Sequence, residues 1–351
     1  MQLVVRWGLV SVLTAASVGG PVGTALAQGS NDAVYTAKGS PVVGTITEMS
    51  RTEVTVTVAG VARKVPVNEI NRVTLADDPV ELRRAREAMH EGQMEEVLEQ
   101  LKNVTLGATE RDVVRQDVAF HVAKANAVLA LRGQGDSAEA ARQMLEFARA
   151  NQGSYHFYEV VELLGDLAVA LGSYDNAINY YGQMTKSPWP ELQLRGAVLE
   201  GRALQAKGDF AGAAAKYGLV IGSPVTAPEA EREKTFAQIG RAACLAEVGK
   251  PDEGLPLVED IIAKSDPQDQ VLFARAYNAL GACHRKANRI QDAILAYLHV
   301  DILFIQDTDA HAEALYYLSS LWPQIDKQDR AVQARSQLKA NYPGSAWARR
   351  Q

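Results

Sequence analysis

The densest group of side chains that could do chemistry is the stretch Asp307-Thr308-Asp309-Ala310-His311-Ala312-Glu313. Its carboxylates and imidazole occupy every second position, so an extended backbone could point three of them at one hard cation. The same stretch stands where a helix is predicted to begin. There, Asp and Thr cap the first backbone amides, and acidic groups favour the positive end of the helix dipole. Helix capping is the preferred interpretation, and a metal-binding protein or an enzyme stays open as an alternative.

No second group of reactive residues is recognisable. The six histidines are scattered along the sequence. His90 is followed directly by Glu91, which is not the spacing of two metal ligands on one helix face. The sequence has no H-E-x-x-H motif, no phosphate-binding P-loop and no G-x-S-x-G nucleophile motif. The sequence therefore predicts a protein that is not an enzyme and that needs no cofactor.

The elements around these residues follow a pattern that returns about every forty positions. In the clearest copies a glycine in one predicted helix is followed by a turn, an alanine and a tyrosine. These copies are Gly165, Gly172, Ala177 and Tyr181; Gly201, Gly208, Ala213 and Tyr217; and Gly281, Asn288, Ala293 and Tyr297. A period of this length, with apolar residues three and four apart, predicts stacked helical hairpins.

Seven such hairpins can be aligned on their inter-helix turns. The turn positions are Gly92, Gly135, Gly172, Gly208, Gly249, Asn288 and Asp326. Most are Gly or Asn, the residues that accept a left-handed backbone at the end of a helix. Mostly small residues stand seven positions before and five positions after each turn, so two antiparallel helices could approach closely. A larger residue nine positions after the turn is predicted to fill the space between repeats.

This arrangement resembles the tetratricopeptide repeat (TPR) family over most of residues 79–351, and Pro343 fits the closing proline of that family. The resemblance implies a mainly α fold, an α–α superhelical solenoid of about seven hairpins whose first helices line a concave groove. In the family's register, the groove-facing residues would be Glu159, Glu162 and Asp166; Arg195, Arg202 and Gln205; Arg275, Asn278, Arg285 and Lys286; and Glu313, Tyr316 and Ser320.

The resemblance makes the groove a candidate binding site for a peptide or protein partner. It would be acidic near its middle and basic on either side of an apolar fifth hairpin that carries Phe236 and Ile239. Arginine and asparagine together can hold a carboxylate through charge-assisted hydrogen bonds. The basic stretch is therefore a hypothetical site for an extended peptide or for the C-terminus of a polypeptide. The eight candidate residues of this partner-binding site are Arg195, Arg202, Gln205, Arg275, Asn278, Arg285, Lys286 and Tyr316. The alternative is that these residues are ordinary solvated helix faces.

Residues 32–76 show a different pattern. Residues 42–47 and 53–58 alternate with period two, and two further apolar runs follow a turn at Ala59-Gly60. Such short Val- and Thr-rich alternations predict β-strands. In outline the segment resembles small SH3-like or Sm-like barrels, and a docking or capping module is expected. After it, Asp78 is predicted to cap the first helix and Pro79 to open it.

The first residues predict the compartment. One positive charge within residues 1–6 precedes an uncharged apolar run, and Ala25-Leu26-Ala27 offers a cleavage site. This layout predicts a secretory signal peptide over residues 1–27, with a retained membrane anchor as the alternative. The formal net charge of the whole protein is −6. This mild acidity argues against non-specific binding of nucleic acid.

Together these observations predict an exported bacterial protein, periplasmic or otherwise extracytoplasmic and soluble after signal cleavage. Its expected function is that of a non-catalytic protein–protein interaction scaffold of the cell envelope. A self-assembling structural repeat protein is the second hypothesis, with Trp322, Tyr342 and Trp347 as candidate contact residues for a homo-oligomer. A metal-binding protein or enzyme that uses residues 307–313 is the third.

Overall fold

The computed structural model describes residues 31–107 and 111–350 of the protein. Within these residues an antiparallel sheet precedes a series of helical hairpins. The predicted signal peptide, residues 1–27, lies outside the described residues. A search of the described helices for a membrane-spanning segment finds none of sufficient length and apolar character.

The sheet is built from Val-rich strands with alternating burial. Its strands are β1 (Asp32–Thr36), β2 (Val42–Met49), β3 (Glu53–Val58), β4 (Val61–Pro66) and β5 (Ile70–Thr74), in the order β4-β3-β2-β1-β5. Val34, Val54 and Val56 are fully buried in it. A bulge between Ile46 and Glu48 interrupts the pairing of β2 with β3, and bulges bend a strand. The predicted β module is confirmed. In the described residues it is an open sheet with β4 and β5 as its edges, rather than a closed barrel.

The helices of the described residues form seven consecutive hairpins, as the sequence predicted. In sequence order they are α1 (Val80–His90), α2 (Met94–Lys102), α3 (Asp112–Leu131), α4 (Ser137–Ala150), α5 (Phe157–Ala170), α6 (Tyr174–Met184), α7 (Pro190–Lys207), α8 (Phe210–Ile221), α9 (Pro228–Glu247), α10 (Pro251–Lys264), α11 (Gln270–Lys286), α12 (Ile290–Leu303), α13 (Thr308–Leu321) and α14 (Gln328–Asn341). The odd-numbered helix of each hairpin is its first helix. Buried apolar residues continue from each hairpin into the next, which is the strip-like core of a solenoid.

The turn residues fall where the sequence predicted them in all hairpins except the second. The confirmed positions, all with positive φ, are Gly92, Gly172, Gly208, Gly249, Asn288 and Asp326. In the second hairpin the left-handed residue is Gly133, with φ +80°, so the prediction of Gly135 is wrong. The cause is loop length, because the capping residue Asp136 follows Gly133 by three positions whereas Asp209 follows Gly208 directly.

Close approach within hairpins depends on a glycine that faces a buried tyrosine sixteen positions later. The three pairs are Gly165–Tyr181, Gly201–Tyr217 and Gly281–Tyr297. A Cβ atom on Gly281 would lie 2.7 Å from the ring of Tyr297, which is well inside van der Waals contact. Glycine is therefore required at these positions because a side chain would collide with the tyrosine ring. The backbone conformation does not require it, since all three glycines lie within regular helix.

The β module is attached to the hairpins through charged contacts. The Arg111 guanidinium donates hydrogen bonds to Asp32 on β1, at 2.7 and 3.0 Å, and also to Asp77. The guanidinium of Arg51 stacks over the ring of Phe157, 3.9 Å from its centroid. Both contacts tie the sheet to first helices, so the module is part of the packed unit.

Asp78 has a different role from the predicted one. Its Oδ2 accepts a hydrogen bond from the backbone N–H of Leu75 at 2.8 Å, and it pairs with Arg86, while Pro79 occupies the N-cap position of α1. The predicted helix cap at Asp78 is therefore wrong. The carboxylate instead closes the preceding turn and binds Arg86, which lies nearly two turns into α1.

Candidate functional site

A cavity of about 340 Å³, called here the central cavity, lies between the first helices of the last five hairpins. Almost all of its lining residues lie on α5, α7, α9, α11 and α13. The concave side of the solenoid therefore lies along the odd-numbered helices, which is where the family register placed it.

The central cavity collects five of the eight residues predicted as the partner-binding site. They are Arg195, Arg202, Gln205, Arg275 and Asn278. The other three lie elsewhere. Arg285 and Lys286 both pair with Glu247, the latter at 2.8 Å. The ring of Tyr316 packs against Trp347, with 5.5 Å between centroids.

The arginines of the predicted basic stretch that line the central cavity are each paired with a carboxylate. Arg195 binds Glu162 with an Nε–Oε2 distance of 2.8 Å. Arg275 holds Asp307 at 2.6 Å through Nε, and its Nη1 lies 2.9 Å from Asp309. The lining of the cavity is therefore a set of ion pairs of both signs rather than a basic surface.

The apolar residues that line the central cavity, called here its floor, come from the fifth hairpin and its neighbours. Phe236 and Ile239 of α9 contribute to it, together with Val198 of α7 and Val271 of α11. The guanidinium of Arg232 lies 4.7 Å from the centroid of the Phe236 ring. An apolar floor between polar groups is the usual composition of a ligand-binding site, because the floor gives affinity and the polar groups give orientation.

Burial raises the pKa of Glu233, which lines the central cavity, and two further carboxyl groups of the lining show larger shifts. Burial and the neighbouring Glu162 raise the pKa of Asp166 to about 6, although Tyr181 donates a hydrogen bond to it at 2.7 Å. Burial and the charge of Asp309 raise the pKa of Glu313 to about 7. Both groups would gain from a nearby positive charge, because it would stabilise their ionised form.

A second cavity, of about 520 Å³, adjoins the first and shares Asp166, Arg202 and Glu313 with it. One wall of this second cavity is made by residues 343–350, which follow α14 and are called here the return segment. The indole Nε1 of Trp347 donates to Oδ1 of Asp309 at 3.0 Å. Sequence reasoning missed this placement, because it assigned Pro343 to the end of the last hairpin and Trp347 to a possible contact between molecules.

The residues predicted as contacts for self-assembly are engaged within the molecule. Tyr342 is 9% exposed and packs in the core of the last hairpin. Trp347 lies in the second cavity, and Trp322 is partly buried against the same core as Tyr342. None of the three forms a free aromatic patch.

The side chains of residues 307–313 do not converge on one point, because Asp307 and Asp309 share Arg275 whereas His311 and Glu313 contact other groups. Asp307 caps α13, as the preferred interpretation predicted, by accepting from the N–H of Ala310 at 3.0 Å. His311 contacts the Tyr342 hydroxyl at 2.7 Å through Nδ1 and Asp301 at 2.9 Å through Nε2. Across residues 31–107 and 111–350, no group of three or more His, Cys, Asp or Glu side chains is arranged to hold a metal ion.

Comparisons with known proteins agree with this architecture. A tetratricopeptide repeat family model matches residues 126–191. A tetratricopeptide repeat protein from Parabacteroides merdae is similar with a TM-score of 0.53 and 13% identity, over 75% of this protein and 92% of that one. A Rap protein complexed with Competence and Sporulation Factor has a TM-score of 0.51 and 12% identity, over 76% of both sequences. No curated protein matches the sequence. The TPR-like solenoid fold is thus confirmed.

Proposed function

We propose that this protein with a TPR fold is a non-catalytic scaffold that binds an extended segment of a partner protein in the central cavity. The observation that carries the proposal is the cavity itself, with first helices of five successive hairpins around an apolar floor. Such a surface can bury side chains of a ligand on the floor and hold its polar groups at the edges.

Among the cations of the central cavity, Arg202 can change partners at the lowest cost. Its ion pair with Asp309 is 3.3 Å long, and the two side chains are 39% and 44% exposed. Half-exposed pairs of this kind contribute little net free energy, because water screens them. A polar group of a ligand can therefore replace Asp309 at Arg202. The pair of Arg275 with Asp307 is shorter and more buried, and we expect it to stay intact when the ligand binds.

Two further observations support the proposal. The similar Rap structure is that of a complex with Competence and Sporulation Factor, so a solenoid of this kind can hold a bound factor. The predicted signal peptide at residues 1–27 would direct the scaffold out of the cytoplasm, and we place its work in the bacterial cell envelope. The partner would then be another envelope protein.

The test is affinity capture from an envelope fraction with three versions of the full-length protein. They are the unchanged protein, Arg202→Glu, and the control Arg142→Glu, which alters an exposed arginine on α4, a second helix. We expect a partner that is retained by the unchanged protein and the control and is lost from Arg202→Glu. Circular dichroism verifies that all three versions are folded. An identical set of captured proteins in all three would contradict the proposed site.

Self-assembly is the second candidate function, and one observation favours it. Leu295, Ile302 and Leu303 of α12 are all more than half exposed, although they are large apolar residues. Leu295 and Ile302 lie seven positions apart and thus on one face of the helix, and exposed apolar surface on one face often marks a contact with another protein. Sedimentation velocity over a range of concentrations separates this candidate from the first, because only self-assembly makes the measured mass rise with concentration.

A further inference from the structure

We infer, on the basis of the proposed function, that the partner segment bound in the central cavity continues into the second cavity and there presents an aromatic side chain followed within three positions by arginine. The return segment has this composition, Trp347-Ala348-Arg349-Arg350, and it lies against α5, α7 and α13 at the second cavity until such a ligand displaces it. The inference depends on how each of its side chains is bound.

The aromatic position is defined by Trp347. Its ring lies 5.5 Å from the ring of Tyr316 and 5.7 Å from that of Tyr317, both on α13. Its N–H bonds to Asp309. This position thus accepts a flat apolar ring that carries one hydrogen-bond donor. Tryptophan and tyrosine anchor many interfaces in this way, with a packed ring and one bonded polar group.

The position that binds a positively charged group is formed by the C-terminal ends of two first helices, α5 and α7. Arg350 donates from Nη2 to the carbonyl of Ala206 at 3.1 Å, in the last turn of α7. Arg349 donates to the carbonyl of Ala170, the last residue of α5. The final carbonyls of a helix lack partners within it and carry the negative end of the helix dipole. Successive hairpins therefore present equivalent sites for guanidinium groups along the groove.

Charges near the return segment favour a cationic ligand in the same way. Burial and the charge of Asp309 raise the pKa of Glu313, and Arg275, Asn278 and, to the smallest extent, Arg350 lower it. The guanidinium of Arg350 also stacks over Trp347, 4.2 Å from the centroid of the ring. An arginine three positions after an aromatic residue can therefore donate to the carbonyl of Ala206 and stack on that aromatic ring at the same time.

The return segment is held loosely enough to be replaced. None of its residues is buried, and Arg349 and Arg350 are exposed. Its contacts are hydrogen bonds of exposed or partly buried groups, together with the packing of Trp347 and Ala348 against the last core. A ligand with the same groups could reproduce every one of them. Because the segment is tethered, it competes at a high effective concentration, and the intact protein should bind such a ligand weakly.

The test uses a fluorescent peptide with the sequence of residues 343–350, acetylated and amidated, in anisotropy titrations against the full-length protein. The hosts are the unchanged protein and the double variant Trp347→Ala, Arg350→Ala, which releases the segment. We expect the peptide to bind the released host at least tenfold more tightly than the unchanged one. Adding Tyr316→Ala to the released host should weaken that binding, and a peptide with alanine in place of its tryptophan should not bind.

Equal binding to the two hosts would show that the return segment does not occupy the site, and it would overturn the inference. Absence of binding to both would overturn it as well. If Arg202-dependent capture of a partner persisted in that case, the proposed function would stand with a ligand of another chemistry. A second released host, with residues 344–350 replaced by glycine and serine, guards against a folding defect in the first.

Discussion

Arg202 and Asp309 form an ion pair across the groove although 107 positions separate them in the sequence. The pair joins α7 to α13, three hairpins further along. Asp309 also binds Arg275 of α11 and the indole of Trp347. One carboxylate thus connects three first helices with the return segment. A ligand that recruits Arg202 or replaces Trp347 would alter the contacts of the same carboxylate, so the two cavities are physically coupled.

Removal of Arg275 should destabilise the last hairpins. Its side chain is 16% exposed and that of Asp307 is 10% exposed, so Arg275→Met leaves two carboxylates without their main cation. We expect a loss of about 2–4 kcal/mol in the free energy of unfolding, because an unpaired buried charge is costly. Urea denaturation measures it. The matched change Arg142→Met, at an exposed pair, should leave the denaturation midpoint where it is.

Two glycines in the fourth hairpin should respond to alanine with opposite signs. In Gly201→Ala the new Cβ would meet the Tyr217 ring at 2.6 Å, and we expect a destabilisation of about 1–3 kcal/mol from overpacking. In Gly218→Ala the Cβ would meet nothing within 4 Å. This variant should gain about 0.5–1 kcal/mol, because alanine loses less backbone entropy in a helix. Thermal denaturation of both variants measures the contrast, and equal shifts would refute the packing argument.

The pH dependence of stability should carry a contribution from Glu313. Its pKa is about 7 in the folded protein, through burial and the charge of Asp309, against an ordinary value of 4.5. Between these values the folded state binds more protons than the unfolded state, so the stability from Glu313 falls as pH rises from about 4.5 to 7. We expect Glu313→Gln to reduce that fall by about 1–2 kcal/mol, a discounted value for a partly accessible group.

The measurement for Glu313 is a series of urea titrations from pH 4 to 8. Asp309 acts in the opposite direction but in another window. Burial would raise its pKa, yet Arg275 and Arg202 hold it at about 2, so its contribution is lost only as pH falls below about 4. Parallel curves for the unchanged protein and Glu313→Gln between pH 4.5 and 7 would contradict the assignment.

The buried carboxylate Asp117 should be indispensable for the packing of the second hairpin. Burial alone would raise its pKa, but His121, Arg86 and His156 hold the pKa well below its usual range. Tyr155 donates to it at 2.8 Å. Asp117→Asn leaves Arg86 buried with one carboxylate fewer, and we expect a loss of about 3–5 kcal/mol. Chemical denaturation measures the loss, and Asp112→Asn, at an exposed position of the same helix, serves as control.

Much of the fold was predictable because its signals are local. The geometry of one hairpin depends on a glycine or asparagine at the end of its first helix and on a tyrosine in its second helix. The turn at Gly208 and the burial of Tyr217 could therefore be predicted from spacing alone. The error at Gly135 arose where the loop of one hairpin is longer than that of the others. Repeat alignment cannot recognise such a difference when two glycines lie two positions apart.

The sequence predicted which residues face the groove, but it did not predict which partners their side chains bind. Arg202 and Arg275 face the central cavity as expected, because the family register depends on helix geometry. That both share Asp309 depends on how successive hairpins rotate, which no local pattern encodes. The same applies to Trp347, whose place in the groove is decided by contacts with α13 rather than by its neighbours in the sequence.

The pairing of a glycine with a tyrosine sixteen positions later has a consequence for how a solenoid of this kind can lengthen or shorten. Both members of each pair, as in Gly165 and Tyr181, belong to one hairpin. A genetic duplication or loss of a whole hairpin would therefore copy or remove a complete packing contact, with no orphaned half. The ring of Tyr217 also touches the position of Gly240 in the next hairpin. A newly inserted hairpin must thus carry a small residue at that place if its neighbour's tyrosine is to stay buried.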